Sequence, residues 1–120
     1  MQDKVQSRED LIVWQKSVTL SVAIYKLTEK FPQSELYGIS SQMRRASVSI
    51  PSNIAEGRRR GTAKDFVQFL RVAHGSLAEL ETQLIISHKM GFCDDTNVRS
   101  TQELITEISK MLHAMIKKLG

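Results

Sequence analysis

The chain has 120 residues, 41% of them apolar and 6% aromatic, with one cysteine and a net charge of +4. That is sequence for one domain with one core, too apolar for disorder and without the roughly 18-residue apolar run that a membrane helix needs. A lone cysteine excludes an intrachain disulfide and leans toward a reducing compartment, so cytoplasm is the expected location; the opening MQDKVQSRED, polar and of mixed charge, does not read as a signal peptide.

Ser7-Arg8-Glu9-Asp10 is a capping-box pattern ahead of an apolar run. It predicts a first helix over about 8–31. Leu11, Trp14, Val18, Val22 and Tyr25 recur at steps of three and four, and Val13, Leu20, Ile24, Leu27 and Phe31 widen that stripe until Pro32 stops it. Trp14 reads as core. Tyr37 lies near the following turn and is expected to pack against it; exposed, it could stack on a base.

A second helix is expected over about 36–60, with Ile39, Met43, Ala46, Ile50, Ile54 and Gly57 on its stripe and Gly61 just past its end. Pro51 sits inside it. Proline removes a backbone donor and crowds the carbonyl four residues back, here that of Ser47, at about 3 kcal/mol in a helix interior. Serines at 47, 49 and 52, or water, could satisfy the freed carbonyl. The apolar stripe continues across the proline, which favours one kinked helix over two helices broken near Ile50.

Thr62 to Asp65 is a second capping-box pattern, opening a third helix over about 63–90. Phe66, Phe69, Leu70, Ala73, Leu77, Leu80 and Leu84 line one face and Gly91 closes it. Gly75 inside this helix costs about 1 kcal/mol relative to alanine unless something packs closely on it. Small residues from Ala46 to Gly57 invite a close helix approach, and Gly75-Ser76 is the opposing surface to expect, in the same bundle or in another subunit. Asp94, Asp95 and Asn97 offer caps for a fourth helix over about 95–119, with Ile105, Ile108, Leu112, Met115 and Leu119 as its seam, and Lys117 and Lys118 suit its C-terminal dipole. No stretch alternates with period two, so no sheet is expected. Short connections make the fold an all-α, up-down-up-down antiparallel four-helix bundle in a single domain, 1–120.

The charge is unevenly placed. Residues 34–61 hold five arginines against Glu35 and Glu56, a balance of +3 out of +4. A local basic patch points to an anionic partner. Arg44 and Arg58 stand 14 residues apart, about 40° short of four turns and about 21 Å along a helix axis, as do Arg45 and Arg59. Rows of guanidinium groups on that scale suit phosphates. For Arg44 and Arg45 the competing and favoured reading is a structural network with Glu56, Glu79 or Glu81. For Arg58, Arg59 and Arg60 a helix-dipole role and phosphate binding stand level.

Enzyme chemistry is not legible. His74 and His88 share a helix but are about 21 Å apart, too far to hold one metal ion, and His113 completes no ligand spacing. Cys93, beside Asp94 and Asp95, lies where a thiolate is not favoured. Glu79 and Glu81 point to different helix faces, and Gly57 and Gly61 lack the strand and lysine of a phosphate loop. No metal, cofactor or catalytic residue is expected.

DLIVWQKS at 10–17, LTEKFPQSELYGISSQMRRASVSIPSNIAEGRRR at 27–60 and FLRVAHGSLAELETQL at 69–84 resemble the four-helix bundle proteins encoded in intervening sequences of bacterial 23S ribosomal RNA genes. The likeness spans most of the chain and weakens after Met90. It implies a ring-like homopentamer and kinship with the accessory variability protein of diversity-generating retroelements, which partners a reverse transcriptase. It carries no settled activity; RNA binding is what a gene inside a ribosomal RNA gene suggests. The resulting expectation is a non-enzymatic basic oligomer that binds RNA or DNA without strong sequence specificity. Arg44, Arg45, Arg58, Arg59 and Arg60 are its phosphate contacts, with Lys64 and Arg71 as lesser candidates. The alternative is an interaction scaffold or accessory subunit for a nucleic-acid enzyme such as a reverse transcriptase.

Overall fold

The computed structural model describes residues 7–120; residues 1–6, on which the reading of a polar start partly rests, lie outside the described residues. Four helices follow one another: α1 (Arg8–Thr28), α2 (Ile39–Arg59), α3 (Ala63–Lys89) and α4 (Asp95–Leu119), with a single 3-10 turn, Gln33–Glu35, between the first two. There is no strand among the described residues. Each helix packs on its chain neighbour and α1 closes the set against α4. The result is a four-helix bundle about 48 Å long.

Local chemistry sets the helix starts. Ser7 Oγ accepts from Asp10 N at 3.3 Å, and Asp10 returns a carboxylate to Ser7 N at 2.9 Å, completing the capping box. At Thr62 only the forward half forms, with Asp65 N donating to its hydroxyl at 3.2 Å. Asp94 caps α4 by accepting from Asn97 N at 2.8 Å. Gly61 and Gly91 take φ of 88° and 80°, the left-handed region where a side chain strains the backbone. At Gly91 the amides of Phe92 and Gly91 bond Ser87 and His88 carbonyls, closing α3 in a Schellman motif.

Two expected boundaries move. α1 ends at Thr28 rather than near 31, because the chain turns over Glu29–Phe31 to seat Phe31 against Phe92, ring centroids 5.5 Å apart. α2 starts at Ile39 rather than 36, since Gln33–Glu35 form the 3-10 turn instead.

The core is the expected face of α2, α3 and α4. Met43, Ile50, Ile54, Phe66, Leu70, Leu77, Leu80, Leu84, Ile105, Ile108 and Leu112 are buried. Each such side chain contributes about 1.5–3 kcal/mol on leaving water. On α1 the expected order inverts. Val13, Leu20, Ile24 and Leu27 are buried, while Leu11, Val18, Val22 and Tyr25 are exposed. Trp14 is half-buried at the core's margin. The inversion follows from hydroxyls that the periodicity counts as polar. Ser17 and Thr28 are buried because each donates to the carbonyl four residues back, both at 2.7 Å, and so enters the core already satisfied.

α2 runs through Pro51 as one helix, without a break at Ile50. The freed Ser47 carbonyl accepts from Ser21 Oγ on α1 at 2.8 Å. The rescue therefore comes from the next helix, not from the serines around the proline. Unpartnered, that buried oxygen would cost about 1–3 kcal/mol. The α2–α3 contact is equally specific. Ser49 Oγ meets Ser76 Oγ at 2.9 Å, as the small-residue pattern leads one to expect. The close glycine, however, is Gly57 and not Gly75. A Cβ on Gly57 would lie 2.7 Å from Phe69 Cβ and 2.9 Å from Phe66 Cδ1, whereas one on Gly75 would meet nothing within 4 Å.

Candidate nucleic-acid interface

The up-down order brings the start of α1, the end of α2, the start of α3 and the end of α4 to one end of the bundle. Arg58, Arg59, Arg60, Lys64 and Arg71 therefore gather there, although they come from two helices and the turn between them. Lys117 and Lys118 join them from the last turn of α4, which the sequence reading had credited only with a dipole role. Helix order is the signal that would have placed them. Glu9, Asp10, Glu56 and Asp65 are the carboxylates in the facing turns.

The members of this group are held differently. Arg60 is engaged within the chain: its Nε donates to Glu56 Oε2 at 3.0 Å and its guanidinium lies 4.9 Å from the centre of the Phe69 ring. Arg59, Lys64 and Arg71 are exposed and make no ion pair among the described residues. Arg58 is half-buried. With Arg59, Leu11, Trp14 and Ala55 it lines a groove of about 330 Å³ between α1 and α2. Its Nε is buried and has no hydrogen-bond acceptor among the described residues. A buried donor without a partner is costly, so this Nε calls for an acceptor beyond the described residues.

Arg44 and Arg45 stand apart from that end, by about 21 Å of helix for a 14-residue separation. Arg44 lies on the α1 side of α2. Its Nε donates to Thr28 Oγ1 at 2.8 Å and its guanidinium sits 5.0 Å from the centre of the Tyr25 ring. Arg58 lies on the same side, as the 14-residue spacing implies. Arg45 is exposed. Neither Arg44 nor Arg45 pairs with a carboxylate among the described residues, so the network with Glu56, Glu79 or Glu81 does not form: Glu56 is taken by Arg60 and Glu81 accepts from Gln102.

Tyr37 corrects another expectation. It does not pack on its turn; it is 94% exposed, between the 3-10 turn and the N-terminus of α2. At the same end, His88 Nε2 meets Asp95 Oδ1 at 2.6 Å. Burial, and then the neighbouring Asp94 carboxylate, push the Cys93 thiol above its usual range, so it resists ionisation. No helix is long and apolar enough to cross a membrane, and no cluster of three metal-ligating side chains occurs among the described residues.

No curated protein matches the sequence. Among solved structures, the bundle is similar to a protein of unknown function from the S23 ribosomal protein family of Bacteroides thetaiotaomicron VPI-5482. The TM-score is 0.84 and the identity 27%, over 91% of this chain and 98% of that one. The family model for the 23S rRNA-intervening sequence protein matches residues 9–114, the greater part of all four helices. The chain belongs to the 23S rRNA-intervening sequence protein family.

Proposed function

We propose that the protein is a non-enzymatic, oligomeric nucleic-acid-binding protein that grips phosphates of RNA or DNA at its basic end, with little preference for sequence. The observation that carries this reading is the Arg58 guanidinium, half-buried in a groove with Arg59, its Nε lacking an acceptor among the described residues. A phosphate oxygen is the acceptor that matches a guanidinium best, in both charge and geometry. Lys64 and Arg71 extend the cationic surface along the same end, and Arg44 and Arg45 lie further up the bundle. Contacts of this kind recognise backbone charge and position a strand without reading its bases.

Assembly belongs to the same reading. Leu11, Val18, Val22 and Tyr25 form an exposed apolar face along α1, the sort of surface that a second copy covers. A ring of five copies, with α2 bent at Pro51, is the assembly we favour. The same face would serve the alternative role, docking a nucleic-acid enzyme such as a reverse transcriptase.

The test is the salt dependence of binding to a mixed-sequence RNA and its DNA counterpart. The logarithm of affinity falls linearly with the logarithm of salt concentration, and each phosphate contact adds about 0.7 to the slope for a single strand. Arg58→Ala with Arg59→Ala flattens the slope by about two such contacts. An unchanged slope removes this end from the interface. A protein partner that stays bound after nuclease treatment, with no nucleic acid recovered, would favour the scaffold.

A further inference from the structure

A second cationic site lies on the α3–α4 face. Arg71, His74 and Gly75 from α3, with His113, Ile116 and Lys117 from α4, line an open pocket of about 440 Å³. The two imidazole rings are 6.5 Å apart between centroids. His74 Nε2 lies 3.2 Å from Ser109 Oγ, which fixes one ring nitrogen; a doubly protonated ring keeps a second donor to offer. The charged groups facing the imidazoles are Arg71 from α3 and Lys117 from α4. No carboxylate lines the pocket. Glu81, about two turns further along α3, accepts from Gln102. Four nitrogen-bearing cationic or titratable side chains thus line one pocket, none of them in an ion pair among the described residues.

Gly75 is the second, independent observation. A glycine inside a helix is destabilising relative to alanine, and close packing is the usual reason to keep one. Here a Cβ would meet nothing within 4 Å, and the position is exposed. No contact within the chain accounts for it. The missing side chain leaves open space at the part of the pocket wall that Gly75 lines.

We propose that this pocket binds a phosphate monoester, carried either on a small molecule or at the end of a nucleic-acid strand. A dianion with three terminal oxygens suits the N–H donors of two imidazoles flanked by a guanidinium and an ammonium. The pocket shares no lining residue with the groove at Arg58, although Arg71 and Lys117 also belong to the basic end of the bundle.

Titrating the full-length protein with inorganic phosphate while following histidine ring resonances tests the proposal. Shifts at His74 and His113, but not at His88, are the expected result. His113→Gln should weaken phosphate binding about tenfold, the scale of one charge-assisted hydrogen bond. Gly75→Leu should abolish binding by filling the pocket, without lowering the melting temperature. Arg58→Ala with Arg59→Ala should leave the phosphate shifts intact, so failure at one site is distinguishable from failure at the other. One short oligonucleotide, with and without a 5′-phosphate, separates the two sources. Displacement of phosphate by the 5′-phosphorylated form alone identifies a strand end, and displacement by neither form identifies a small molecule. Absent ring shifts, equal displacement by both forms, or phosphate binding that survives Gly75→Leu overturns the proposal.

Discussion

The two sides of α2 are built by opposite means. Toward α3 the helix packs by leaving atoms out: Gly57 lets Phe66 and Phe69 onto the backbone, and Ser49 and Ser76 meet through their hydroxyls. Toward α1 it packs by supplying atoms that are missing: Ser21 fills the bond lost at Pro51, and Thr28 and Tyr25 hold Arg44. The α3 side is finished within one chain. The α1 side is less complete among the described residues, since next to it lie the exposed apolar face of α1 and the buried Arg58 Nε, which has no acceptor among them.

Three substitutions sharpen or break that contrast. The largest effect is expected at Gly57. Gly57→Val forces a side chain into the Phe66 and Phe69 contacts and should destabilise the protein by about 3 kcal/mol, read from denaturant unfolding. A cost under about 1 kcal/mol would mean that α3 gives way easily and that the α3 side is not steric in origin.

Next is Ser21→Ala, which strands the Ser47 carbonyl and should cost about 2 kcal/mol. The informative measurement is the cycle with Pro51→Ala. An alanine at 51 restores a donor four residues beyond Ser47, so Ser21→Ala should cost about 1 kcal/mol less in that background. Additive effects would show that the hydroxyl does not compensate the proline.

The smallest effect is expected at Ser49→Ala, about 0.5–1 kcal/mol, since the Ser49–Ser76 pair is only partly buried. Adding Ser76→Ala should cost little more, because the pair is already lost. A Ser49→Ala cost above that of Ser21→Ala would reverse the comparison, making the polar bond rather than the close approach the main feature of the α3 side.

The periodic apolar residues of α2, α3 and α4 made their helices and buried faces legible, and Ser7, Thr62, Asp94, Gly61 and Gly91 marked their ends. α1 was harder. Leu11, Val18, Val22 and Tyr25 recur as regularly as the buried set does, and no rule of spacing separates a stripe facing the core from one facing outward. Buried serines and threonines, each bonded to its own helix, shifted the inward face by about a third of a turn. The arginines were visible as a cluster, but not the difference between Arg60, which is engaged by Glu56 and Phe69, and Arg58, whose Nε has no acceptor among the described residues.

Sequence by itself determined the helix count, the antiparallel order and the excess of positive charge in residues 34–61. These depend on local spacing, caps and short connections, all of which act within a few residues. Tertiary structure decided which α1 stripe faces inward, which glycine permits close packing, that Ser21 serves Pro51, and that α4 adds lysines to the basic end. Each of these is a contact between residues far apart in the chain. Such a contact exists only once two helix surfaces have a fixed rotation and depth against each other, and no single helix carries that information.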